Sequence, residues 1–95
     1  MRAKKIFCVV AYDVSDDKRR YRVVKVLEKY GIRVNYSVFE CMLTESQYNK
    51  IQVELKKKIN EKDDTIIYYR ICVNCFTKIV RQPVRERTIE TVEVY

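Results

Sequence analysis

Hydrophobic positions in this chain come first as an unbroken run, Ile6 to Tyr12, that ends on Asp13. A run of that length without alternation predicts a strand covered on both faces, the central strand of a sheet. Ser15, Asp16 and Asp17 follow as consecutive N-cap candidates, and the acidic pair suits the start of a helix. That helix is expected to run to about Tyr30, with Gly31, the chain's only glycine, as its C′ residue. One face carries Val23, Val24, Leu27 and Tyr30, and another lines up Lys18, Arg22, Lys25 and Lys29 as a basic stripe. Arg20 shares the apolar side with residues 24 and 27, so its head group must reach the edge or find a carboxylate or phosphate.

Beyond Gly31 the apolar period is two, Ile32, Val34, Tyr36 and Val38, and then changes phase to Phe39, Cys41 and Leu43. The slip predicts a bulge or tight turn near Asn35 to Ser37, hence two short strands or one strongly bent one. Thr44-Glu45-Ser46-Gln47 is a capping-box pattern that opens a second helix with the core stripe Tyr48, Ile51, Leu55 and Ile59. Lys50, Lys56 and Lys57 lie outside that stripe, and Asn60 to Asp64 is a polar loop. Thr65 to Val73 is a near-continuous apolar strand, again central in character, and Phe76 to Val84 is a further strand that Pro83 confines to an edge or a strand end. Thr88 to Tyr95 is a last, β-branched strand with little in a monomer to cover it. The order β-α-β(β)-α-β predicts a ferredoxin-like α+β sandwich with extra C-terminal strand material. It forms one domain over residues 1–95, with its core at about 4–84 and a C-terminal strand segment at 85–95. That fold is much reused and gives no function by itself.

Charge and residue usage narrow the chemistry. Twenty Lys and Arg against 13 Asp and Glu give a formal net charge of +7, which favours a polyanionic partner, nucleic acid before membrane. No stretch approaches the roughly 18–20 apolar residues that cross a bilayer, and no signal-peptide pattern opens the chain, so a cytoplasmic, non-membrane protein is expected. A chain of 95 residues buries only about 60–65% of its unfolded surface, which makes dimerisation a natural way to add core. There is no histidine, so Ser-His-Asp and Cys-His catalysis are excluded and any enzyme here must rely on carboxylates and a metal. Cys72-Val73-Asn74-Cys75 is a lone C-x-x-C without the further ligands of a zinc site, while Cys8 and Cys41 sit in apolar runs as small core residues.

The end of a central strand is where ligands and chemistry gather in layered α/β architectures, which singles out Asp13. The plain alternative is that a strand-end Asp before a helix caps or turns the chain. The basic stripe of the first helix is, in the same plain reading, a solvated face, and Phe39 is a core residue.

Val10-Ala11-Tyr12-Asp13-Val14, then Arg20 and Arg22, then Tyr30-Gly31-Ile32-Arg33-Val34-Asn35-Tyr36-Ser37-Val38-Phe39-Glu40 form a spaced signature. It resembles the second CRISPR-associated protein family, the small dimeric metal-dependent nucleases of the adaptation module. The motifs cover about the first half of the chain, with Asn35 standing where glutamine is frequent. The resemblance implies a ferredoxin-like homodimer in which the last strand crosses to pair with the partner's sheet. It also implies a role in spacer acquisition, bridging dimers of the CRISPR integrase, and cleavage of RNA or double-stranded DNA with a divalent metal. Carried over by position, Asp13 is the metal-binding carboxylate flanked by Tyr12, the basic positions are Arg20, Arg22 and Arg33, and the aromatic is Phe39.

One carboxylate cannot hold a catalytic Mg²⁺ (or Mn²⁺), whereas a two-fold dimer presents Asp13 from both chains to a shared cleft. Arg20, Arg22 and Arg33 are expected to supply charge to the phosphate, and Lys18, Lys25 and Lys29 to contact the nucleic-acid backbone. Ser37 either caps the turn or donates to phosphate, and Tyr12 and Phe39 either stack on a base or pack. Two other functions fit the same charges: a non-catalytic architectural DNA-binding subunit with Asp13 idle, and a ferredoxin-like ribonuclease toxin. An RNA-recognition module is disfavoured, because its glycine- and aromatic-rich strand motif cannot be built from one glycine.

Overall fold

In this computed structural model the described residues are 5–71, 80, 82, 88, 89, 92 and 93. The apolar run becomes β1 (Lys5–Asp13), followed by α1 (Asp17–Glu28), β2 (Gly31–Asn35), β3 (Val38–Thr44), α2 (Glu45–Lys56) and β4 (Thr65–Ile71). The four strands form one antiparallel sheet in the order β2-β3-β1-β4. Each helix therefore crosses over one intervening strand, which is the ferredoxin-like arrangement expected.

β1 is central, paired to β3 on one side and β4 on the other. Its even positions Cys8, Val10 and Tyr12 meet Val23, Leu27, Ile51 and Leu55 of the helices, and Phe39, Cys41 and Leu43 of β3 complete that core. Phe7 is buried on the other sheet face with Val9, Ile32, Met42 and Ile71 around it. An unbroken apolar strand is thus used on both sides, one under helices and one beneath a second, smaller cluster.

Local signals set the boundaries. Asp16 is the N-cap of α1, its carboxylate accepting from the Arg19 N–H at 2.9 Å, and that bond holds the acid below the usual carboxylate range. At α2 the capping box is complete: Thr44 Oγ1 accepts from Gln47 N at 3.1 Å, and the Gln47 side chain accepts from Thr44 N at 2.9 Å. The phase slip is a register shift between Arg33 and Asn35, followed by a tight turn at Tyr36 and Ser37. Asn35 Oδ1 caps that turn by accepting from Tyr36 N at 2.7 Å.

Two expectations are corrected, at the end of the first helix and in the C-terminal segment. Helix α1 ends at Glu28 with Lys29 as C-cap, two residues early, and Gly31 opens β2 instead of closing the helix. Glycine is needed there for space. A Cβ would fall on the Glu40 carbonyl oxygen and come within 2.6 Å of Cys41 Sγ and 2.9 Å of Cys41 Cα. Among the described residues β4 pairs with β1 alone, and Ile67 and Tyr69 on the face away from the helices are 44% and 51% exposed. Its apolar run reads like that of β1 because both faces carry hydrophobic side chains, although only one is buried by the helices. The C-terminal strand is a hairpin, β5 (Thr88–Ile89) pairing antiparallel with β6 (Val92–Glu93). Folding the segment back pairs backbone groups that one extended strand would leave open. The strand expected over 76–84 and the Cys72/Cys75 pair lie outside the described residues, Val80 and Gln82 apart.

Candidate active site

The C-terminal end of β1, the β2–β3 turn and the first turns of α1 enclose a cleft of about 420 Å³ lined by Tyr12, Asp13, Val14, Arg20, Arg33, Tyr36 and Ser37. Asp13 is exposed at the last position of β1, opposite Thr65 of β4. Because Asp16 caps the helix, Asp13 is not the cap, and its carboxylate has no hydrogen bond or ion pair with the described residues. It is a fixed backbone position with an uncommitted acidic head group, which is what a ligand-binding carboxylate requires.

Arg20 does what its place on the apolar side demands. Its Nη1 donates to the Val14 carbonyl at 2.9 Å and its Nη2 pairs with the Asp17 carboxylate. Both contacts hold the guanidinium at the cleft wall, with its side chain still 40% exposed and with N–H groups to spare. Arg33 comes from the opposite wall, donating to the Tyr36 carbonyl at 2.8 Å. Ser37 lines the same cleft.

The two aromatic candidates resolve as packing. Phe39 is 1% exposed in the core, its ring centroid 6.2 Å from that of Tyr12. Tyr12 is 3% exposed, and its hydroxyl donates to the Tyr36 carbonyl at 3.3 Å while its own N–H donates to the Ser37 carbonyl at 3.0 Å. Tyr12 bolts the β2–β3 turn to the end of β1 and so positions the cleft. Neither ring is a surface on which a base can lie.

The basic residues divide. Side chains two apart on a helix point about 200° from one another, so Arg20 faces the cleft while Arg22 turns to a second groove of about 250 Å³. That groove is shared with Tyr21, Lys25, Val26, Lys29, Glu54 and Lys58. There Lys25 pairs with Glu28 at 3.6 Å and lies 5.3 Å from the centre of the Tyr21 ring, and Lys29 pairs with Glu54 at 3.4 Å. Lys18 is exposed on the first turn of α1 and lines neither site.

Three features were not read from the sequence. Asp64, taken as part of a polar loop, is buried and bonded to Arg19, Ser15 and Asn60. Lys58 adds a cation to the helical groove. Tyr36, counted as a strand position, is 85% exposed at the lip of the cleft. The phase slip around it was the available signal, since a residue inside a turn leaves the alternation.

Residues 6–79 match the family model described as CRISPR associated protein Cas2. The chain belongs to the Cas2 family. A relative from Synechocystis sp., named CRISPR-associated endoribonuclease Cas2 3, is 41% identical over 71 residues, spanning 75% of this chain and 77% of its own. The crystal structure of Streptococcus pyogenes Cas2 superposes with a TM-score of 0.71 at 34% identity, covering 79% of this chain and 96% of that one. A chain of a partial Cas6-RT-Cas1–Cas2 complex gives a TM-score of 0.68 at 26% identity over 80% of this chain and 89% of that one. The segment matched to the Cas2 model contains every residue of the cleft.

The donor set bears on the divalent metal that the Cas2 resemblance implies. Among the described residues no three His, Cys, Asp or Glu side chains gather at one point. The cleft offers one hard oxygen ligand, Asp13, and no thiol. One carboxylate falls short of a catalytic Mg²⁺ or Mn²⁺ site, which a second Asp13 across a dimer would complete, and the cleft lacks the thiol and imidazole ligands of zinc. No helix among the described residues is long and apolar enough to cross a membrane.

Proposed function

We propose that this chain is a metal-dependent endonuclease of CRISPR adaptation. In this reading it works as a cytoplasmic homodimer that hydrolyses phosphodiester bonds and bridges nucleic acid to the integrase subunit. The observation that carries the reading is the uncommitted Asp13 carboxylate in one cleft with Arg20, Arg33 and Ser37. Cleavage of a phosphodiester builds negative charge on the phosphate oxygens, and prepositioned guanidinium groups stabilise it. Arg20, anchored on the Val14 carbonyl and Asp17, is prepositioned in that sense. Asp13 from each of two chains would hold the metal, which when bound supplies Lewis acidity toward the phosphodiester and acidifies water. The name of the Synechocystis relative favours RNA as substrate, with double-stranded DNA the other arm to be assayed. One feature supports the dimer: Ile67 and Tyr69 lie exposed on the sheet face away from the helices.

A second reading, an architectural subunit with Asp13 idle, is favoured by the cations of the helical groove and by the likeness to a chain of a complex containing Cas1. The two separate in a cleavage assay with Mg²⁺ or Mn²⁺ on short duplex DNA and single-stranded RNA, with binding measured on the same samples. Asp13→Ala and Asp13→Asn should lower cleavage by about a thousandfold, the several kcal/mol that metal catalysis supplies, and leave binding intact. Cleavage that survives in both variants, or is absent in the wild type, assigns the protein to the architectural role.

A further inference from the structure

The geometry points to the exposed ring of Tyr36 as a stacking platform for one unpaired nucleobase, placed beside the phosphate that the Asp13 cleft would hold. This rests on the nuclease reading and deepens it by naming a residue that would position one base of the substrate.

Single exposed aromatics are ordinary on protein surfaces, so exposure alone would carry nothing. Tyr36 differs from Tyr69, which is also exposed, in lining the cleft. Its backbone is held from three sides. The Tyr36 carbonyl accepts from Arg33 Nη2 at 2.8 Å and from the Tyr12 hydroxyl at 3.3 Å, and the Tyr36 N–H donates to Asn35 Oδ1 at 2.7 Å. The ring, by contrast, is in solvent at 85% exposure, with the Arg33 guanidinium 5.9 Å from its centre. With the backbone already fixed, a flat ligand that settles on the ring has only two side-chain torsions left to order. The same arginine that braces the ring lines the cleft where the phosphate is expected, so base and phosphate of one nucleotide meet adjoining groups. Bases inside a duplex have both faces covered by their neighbours, and only an unpaired or splayed base offers a face to a side chain. The preference would be tolerant of base identity, because every base has a π-face.

The test is binding in metal-free buffer with EDTA, using short RNA and DNA single strands that carry 2-aminopurine at successive positions, and a blunt duplex of the same sequence. Wild-type protein should quench the probe at one position. Tyr36→Ala should abolish that quenching and weaken single-strand binding roughly tenfold without changing duplex binding or melting temperature. Tyr36→Phe should keep both signals. Whichever single strand shows the position-specific quench identifies the sugar. Unchanged single-strand binding in Tyr36→Ala overturns the inference. So does an equal loss on the duplex, or a loss confined to capture of an integrase subunit, which would make the ring a protein contact. The readout needs no cleavage, so it succeeds or fails independently of Asp13.

Discussion

Arg19 and Asp64, 45 residues apart, are joined by two bonds, Nε to Oδ2 at 2.8 Å and Nη2 to Oδ1 at 3.3 Å. The same carboxylate accepts from Ser15 N at 3.2 Å and from Asn60 N at 2.8 Å, so it ties the start of α1 to the loop before β4. Thr65, the next residue, pairs with Asp13, and the clamp therefore fixes the strand end on which the proposed chemistry rests. The Arg19 guanidinium and the backbone donors hold the Asp64 carboxyl well below the usual carboxylate range.

The depressed value sets a pH dependence. A carboxyl whose folded pKa lies below its unfolded value, about 3.9, contributes stability that is fully present above that value and is lost as pH falls through the folded one. Asp64→Asn should melt several degrees below wild type at pH 7, and the gap should narrow as pH drops below about 4. Thermal melts of both proteins from pH 7 to pH 2.5 check it. A gap that stays constant across the range would mean the charge is not what holds the loop.

Gly31 tests how closely β2 lies on β3. Alanine there meets the Glu40 carbonyl and the Cys41 backbone, and neither can step aside without parting the two strands. The gain from stiffening the unfolded chain is about 0.4–1 kcal/mol, smaller than an overpacking cost of roughly 1–3 kcal/mol. Gly31→Ala should therefore lower the urea midpoint, and a variant as stable as wild type would show that the strands have room.

The fold was legible in the sequence because its signals are local. The run from Ile6 to Tyr12, the Thr44/Gln47 capping box and the slip after Val34 each depend on residues close in sequence, and each appears where expected. Asp13, Arg20, Arg33 and Ser37 line one cleft, whereas Arg22 of the same signature turns to the helical groove. What could not be read depends on distance. Asp64 is indistinguishable from a solvated loop acid until Arg19 arrives from another element, and Gly31 looks like a helix terminator until β3 is laid against it. Phe39 and Tyr36 show the same limit. Both are aromatic residues near one turn, and only the register decides which is buried and which is left in solvent.

Cys8 and Cys41 face each other across β1 and β3, both at 0% exposure. Burial pushes their thiols up to about 11 and about 12. At pH 8 about one Cys8 in a thousand would be thiolate, and the thiolate is the reactive form. In a Cys72→Ser, Cys75→Ser background, iodoacetamide at pH 8 should label neither residue over hours in native buffer and both within minutes in 6 M guanidinium. Fast native labelling would show that this end of the core opens.

The division of the cations predicts two separable effects on nucleic-acid binding. Each phosphate contact that is removed should reduce the salt slope of duplex binding by about 0.9. Lys25 and Lys29 are already paired with Glu28 and Glu54, so part of their charge is spent within the protein, whereas Arg22 has no carboxylate partner among the described residues. Arg22→Ala should accordingly lower the slope by close to one contact and Lys29→Ala by less, with cleavage of saturating substrate unchanged in both. Arg33→Ala should differ in slowing cleavage as well, with the slope falling by no more than one contact, because its guanidinium lines the cleft. Plots of log Kd against log salt between 50 and 200 mM, set beside single-turnover cleavage, separate the two. If Arg22→Ala alone abolishes cleavage of bound substrate, the helical groove belongs to the active site and the division is wrong.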